Sequence, residues 1–86
     1  MLVAAQASGD DAASRTALSV AHNRLGVNMH AMGDYERAMV HHEAHRELAD
    51  AAGKFVAHLN IGLAQASLRR LDDAADNFRE ALRSAI

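Results

Sequence analysis

Sliding the chain 36 residues along itself lays one stretch over another. Val20-Ala21-His22 falls on Val56-Ala57-His58, Leu25 on Ile61, Gly26 on Gly62, Met32 on Leu68 and Ala38 on Ala74. One such match is chance, whereas a consistent set over 19 positions is an internal repeat. A repeat constrains the fold strongly, because each unit must bury its apolar edge on the next one. The chain is then an array and not a shell around one deep core. Composition agrees. Of 86 residues 50% are apolar but only 3% aromatic, and alanine supplies much of the apolar share, so large side chains are few.

The repeat is helical. Proline is absent, β-branched residues are scarce, and Ala, Leu, Arg, Glu and Met are strong helix formers. The predicted class is all-α. Gly9-Asp10, Gly33-Asp34 and Gly53-Lys54 punctuate the chain: glycine closes a helix in the left-handed conformation, and an aspartate after it caps the next. A further turn without glycine is expected at Arg69-Arg70-Leu71-Asp72. Helices are therefore expected from about Asp11 to Met32, Tyr35 to Ala52, Phe55 to Arg69 and Asp73 to Ala85. Residues 1–8 read as the end of an earlier helix, and residues 1–86 as a single array. Such short links force neighbouring helices antiparallel.

Gly26 and Gly62 fall mid-helix, where glycine costs about 1 kcal/mol relative to alanine. A close approach of two helices offsets that cost, and Ala38 and Ala74 are the expected counterparts. His22, Leu25, Met29 and Met32 share one helical face, and His58, Ile61, Gln65 and Leu68 repeat it.

These residues carry a family resemblance. Leu25-Gly26 followed by Gly33-Asp34-Tyr35-Glu36-Arg37-Ala38 resembles the tetratricopeptide (TPR) repeat. Ile61-Gly62, then Leu71-Asp72-Asp73-Ala74-Ala75 with Phe78, Ala81 and Leu82, resembles a second. The 36-residue spacing and the absence of proline, with His42, His45, Leu48 and Ala49, are similar to the long repeats of Pins-type spindle-orientation adaptors and of rapsyn. The resemblance implies antiparallel helix pairs stacked as a TPR solenoid, with repeat one over about residues 11–52 and repeat two over about 54–86. It also implies an adaptor or scaffold that binds a partner peptide or helix along the first helix of each pair. By position that groove comprises Val20, Asn23, Arg24, Val27, His30 and Ala31 from repeat one, and Val56, Leu59, Asn60, Leu63 and Ser67 from repeat two. The implied setting is cytoplasmic, in cytoskeletal, cortical or ciliary scaffolding.

Other chemistry finds little support in the residues. No cysteine is present, which excludes disulfides and thiol catalysis. His41 and His45 stand at a chelating i, i+4 spacing, but His42-Glu43-Ala44-His45 has the wrong spacing for a metalloprotease motif and no third ligand is evident. No metal or cofactor is expected. The pairs Asp10-Asp11 and Asp72-Asp73 sit at expected helix starts, where they complement the helix dipole. No nucleophile motif or phosphate loop occurs, so an enzyme is not expected. A net charge of −2 and the interleaving of Arg69, Arg70, Arg79 and Arg83 with Asp72, Asp73, Asp76 and Glu80 argue against a nucleic-acid partner. No apolar run is long enough for membrane insertion. Seam histidines, with an ordinary pKa near 6.5, are expected to make the module acid-sensitive.

About three repeats are usually needed for a stable array, and two are visible. Phe78, Leu82 and Ile86 are expected to leave an apolar edge on the last helix, through which the chain either continues its array or self-associates.

Overall fold

The computed structural model describes residues 11–85, which form four helices: α1, Ala12–Ala31; α2, Tyr35–Leu48; α3, Ala51–Ser67; and α4, Leu71–Ala85. No strand occurs among the described residues. Each helix packs mainly on its chain neighbours, α1 on α2, α2 on α3 and α3 on α4. The stub expected at residues 1–8, the Gly9-Asp10 turn and Ile86 lie outside the described residues.

Three aspartates set the helix starts. Asp11 accepts a hydrogen bond from the Ser14 backbone N–H at 2.7 Å, Asp34 from Arg37 at 3.3 Å and Asp50 from Gly53 at 2.9 Å. Each satisfies a donor that the first helical turn leaves free.

Asp50 overturns one expectation. The second and third helices part at Ala49-Asp50 and not at Gly53-Lys54: α2 ends at Leu48, Ala49 is extended, and Asp50 caps α3. Gly53 is there for space. A Cβ on it would stand 2.6 Å from the Cβ of Ala49. Capping chemistry outweighs glycine as a boundary signal at this point.

The other two turns fall where expected and are built alike. Gly33 has φ +81° and Arg69 φ +67°. After Gly33, Asp34 N–H donates to Met29 C=O at 2.9 Å; after Arg69, Arg70 N–H donates to Gln65 C=O at 2.8 Å. These are the same bonds one repeat apart, and they close the last turns of α1 and α3.

The mid-helix glycines have a different partner from the one expected. Ala38 and Ala74 are buried, but the notch at each glycine is filled by a ring one turn further on. A Cβ on Gly26 would meet the His42 ring at 2.6 Å, and one on Gly62 would meet the Phe78 ring at 2.6 Å. Both rings lie 16 residues after their glycine. The helix pairs are thus keyed by a ring in a notch, with the alanines packed beside it.

Burial is uneven. Gly26 is the buried residue of α1, whereas α3, held between α2 and α4, buries Ala57, Ile61, Gly62, Ala64 and Gln65. Leu25 is 40% exposed and its repeat mate Ile61 only 1%. No described helix is long and apolar enough to cross a membrane.

Candidate functional site

Two polar contacts tie the helix pairs together, and they occupy the same repeat positions. The Nδ1 atoms of His22 and His41 are 3.1 Å apart, so one ring donates to the other. In the second pair His58 Nδ1 stands 3.1 Å from Asn77 Oδ1, to which it donates. Asn77 in turn donates to Gln65 Oε1 at 2.7 Å. Repeat two therefore closes its seam with amides, where repeat one uses a second imidazole.

Two further imidazoles lie deeper. His42 is 1% exposed and His45 6%, and the Nδ1 atom of each is buried without a hydrogen-bond partner. Their repeat mates are Phe78 and Ala81, which carry no polar side-chain atom. Burial, followed by the neighbouring imidazoles of His45, His30 and His41, lowers the pKa of His42 from 6.5 to about 4. Burial and then His22 lower that of His45, opposed by the Asp50 carboxylate. Both rings are neutral at pH 7.

On the side shared by α1 and α3 there is a cleft of about 230 Å³. Val27, His30 and Ala31 line it from α1, Asn60 and Leu63 from α3, and buried His42 closes it from α2. Asn60 Nδ2 reaches Asn23 Oδ1 at 3.5 Å, a long contact that crosses the two helices beside the cleft. Five of the eleven groove residues expected from sequence thus wall one cleft, and Asn23 adjoins it. The rest are spread out. Arg24, Val56, Leu59 and Ser67 are exposed and outside its walls. Val20 belongs to a second, more open hollow with Arg15, Thr16 and Asp50. His42 is the cleft residue that the groove reading missed. Its seam position is clear from the repeat, but its reach through to the other side is visible only once Gly26 opens the way.

Charge is divided between the helices. Neither α1 nor α3 contains a carboxylate, while they carry Arg15, Arg24 and Lys54. The acidic residues of the four helices sit on α2 (Glu36, Glu43, Glu47) and α4 (Asp72, Asp73, Asp76, Glu80). The arginines of the second repeat are mostly paired: Arg70 with Glu36 at 3.0 Å, Arg79 with Asp76 at 2.7 Å and Arg83 with Glu80 at 2.9 Å.

The expected self-association edge is divided as well. Phe78 is half-buried with its ring against Gly62, so it belongs to the intramolecular seam. Leu82 is 64% exposed. Among the described residues no group of three or more histidine, aspartate or glutamate side chains is placed to hold a metal ion. No protein-family model, curated protein or solved structure matches this chain.

Proposed function

We propose that this chain is an interaction module of the tetratricopeptide type, which holds a partner peptide along the side shared by α1 and α3. The observation that carries the reading is the division of charge. Both helices walling the cleft lack carboxylates and carry amides and aliphatic side chains at its walls, with their cations Arg15, Arg24 and Lys54 outside the walls, whereas α2 and α4 hold the acidic residues. A peptide with an aliphatic residue flanked by acidic ones complements such a surface. Val27 and Leu63, 49% and 44% exposed, supply apolar contact, and Asn23 and Asn60 supply donors and acceptors for a peptide backbone. The recurrence of the notch, turn and seam after 36 residues supports a solenoid of stacked pairs. The setting consistent with the resemblance is an adaptor within a cytoplasmic assembly of cytoskeletal, cortical or ciliary type.

A displayed library of random peptides selected on the 86-residue chain tests this reading. Acidic–aliphatic sequences are expected to be enriched, and to lose binding by tenfold or more to a variant carrying Val27→Glu and Leu63→Glu. Peptides that bind the variant equally well overturn it. A second reading, assembly through the outer side of α4, is favoured by the exposure of Leu82 at 64%. Light scattering over a concentration series, with Leu82→Glu as control, distinguishes it. A mass that rises with concentration, and does so less in the variant, puts assembly ahead.

A further inference from the structure

Imidazoles crowd one face of the molecule only. His22 and His30 come from α1, and His41, His42 and His45 from α2. Tyr35 meets His30 edge-on with ring centroids 4.9 Å apart, Glu43 lies between His42 and His45 on α2, and Arg15 of α1 reaches the Glu47 carbonyl at 3.5 Å. Asp50, the cap of α3, acts on His45. Lys54 of α3 donates to the Arg46 carbonyl at 2.8 Å, which adds positive charge at the same end. Gly26 and Gly53 pack against His42 and His45 without offering a polar side chain, and Asn60 shares the cleft with His42.

The two buried rings of this face have no partner for an added proton at Nδ1. A proton added to Nδ1 of His42 or His45 makes a buried donor with no acceptor. At the His22–His41 contact, a proton on both Nδ1 atoms sets two N–H groups against each other across 3.1 Å. The α3–α4 seam has no such difficulty, because His58 donates to Asn77 Oδ1 whether its ring is neutral or charged. Phe78 and Ala81 there have nothing to protonate.

We infer that α1–α2 is an acid-released latch: on mild acidification α1 detaches from α2, while α2, α3 and α4 stay packed together. α1 is the helix able to leave, since among the described residues it packs mainly on α2, Gly26 is its buried residue and the Gly33 turn joins it to the rest. Its departure gives His42 access to water and with it a proton. The cleft loses Val27, His30 and Ala31 together, so the peptide site proposed above would empty with pH. That consequence rests on the groove reading, whereas the latch itself does not, and it is tested without any ligand.

The sign follows from linkage. The unfolded or detached chain takes up the proton near the ordinary pKa of 6.5, and the packed seam refuses it until lower pH. The latch is therefore closed above that value and weakens as pH falls below it. The experiment compares the wild-type chain with the variant His41→Asn, His42→Phe, His45→Ala, which gives repeat one the seam residues of repeat two. Tm is measured from pH 7 to 5, above the ordinary carboxylate range, and backbone amide NMR signals are followed helix by helix. Wild type is expected to lose roughly 10 °C, with α1 signals fading before those of α4. The variant is expected to stay level. Because the triple variant places three new side chains in a tight seam, the single variant His42→Phe is measured beside it and is expected to show a reduced slope. A wild-type Tm level from pH 7 to 5, or α4 signals lost first, overturns the latch. So does an equal fall in wild type and in whichever variants fold.

Discussion

The first helix pair and the second share one frame and fill it differently. Each has a glycine on its first helix, a ring 16 residues later in the notch, a contact between seam side chains 19 residues apart and a left-handed residue at the turn. The first pair fills the seam with His41, His42 and His45, and the second with Asn77, Phe78 and Ala81. A repeat frame therefore specifies where a side chain must pack, but not whether it is polar. The first pair places buried imidazoles, His42 and His45, where the second has a phenyl ring and a methyl group. Position in the array adds a second difference. Among the described residues α3 packs mainly on two helices and α1 mainly on one, so equivalent residues carry unequal loads.

The sharpest break in that equivalence is at Leu25 and Ile61. Ile61→Ala is expected to cost about 2–5 kcal/mol, in the range for truncating a fully buried aliphatic residue. Leu25→Ala at the matching position should cost under about 1 kcal/mol, because its side chain is 40% exposed. Denaturant unfolding measures both. Equal losses would mean that α1 is covered as fully as α3.

Next in size is the notch. Gly26→Ala is expected to destabilise by about 1–3 kcal/mol through overpacking, even though alanine is the better helix former. Gly62→Ala should cost less, since Phe78 is half-buried and freer to shift than His42, which is 1% exposed. Pairing each substitution with removal of the facing ring, His42→Ala or Phe78→Ala, measures the coupling directly. A coupling near zero at Gly26 would remove the ring-in-notch account.

The smallest effect lies in the turns. Arg69 holds φ +67° and Gly33 φ +81°, a conformation costly for a residue with a Cβ. Arg69→Gly is expected to raise stability by about 0.5–1 kcal/mol. Gly33→Ala should lower it by about 1 kcal/mol, although nothing lies within 4 Å of the position, so the loss would come from backbone strain and not from a clash. Thermal melts of the two variants should move in opposite directions.

Much of this frame is legible in the sequence, for physical reasons that can be named. Gly33-Asp34 announces its turn because a left-handed residue and a capping carboxylate stand side by side. The glycine-free turn at Arg69 is legible only through the repeat, which maps it onto Gly33. Gly53 misleads because glycine serves two needs, left-handed backbone and bare space, and composition does not separate them; Asp50, three residues earlier, holds the boundary. Ala38 and Ala74 are rightly placed in the core, but the residue facing each glycine depends on how far a side chain leans along its helix. For the same reason five groove positions converge while Arg24, Val56, Leu59 and Ser67 do not. Spacing places residues on a face, and only the relative setting of α1 and α3 decides which of them meet. That His22 and His41 meet ring to ring is likewise a property of the packed pair, as is the lack of any partner for Nδ1 of His42.

The latch requires that the buried imidazoles of His42 and His45 be sealed in as neutral groups. Following the ring carbon-bound proton signals of the six histidines by NMR from pH 7.5 to 3.5 tests this directly. Desolvation and neighbouring rings should keep His42 from titrating at the ordinary 6.5 while α1 is packed, and His45 likewise, so that each takes up its proton only as α1 signals fade. A His42 ring that titrates near 6.5 while α1 stays packed would contradict the account, because the seam would then already admit water and a proton.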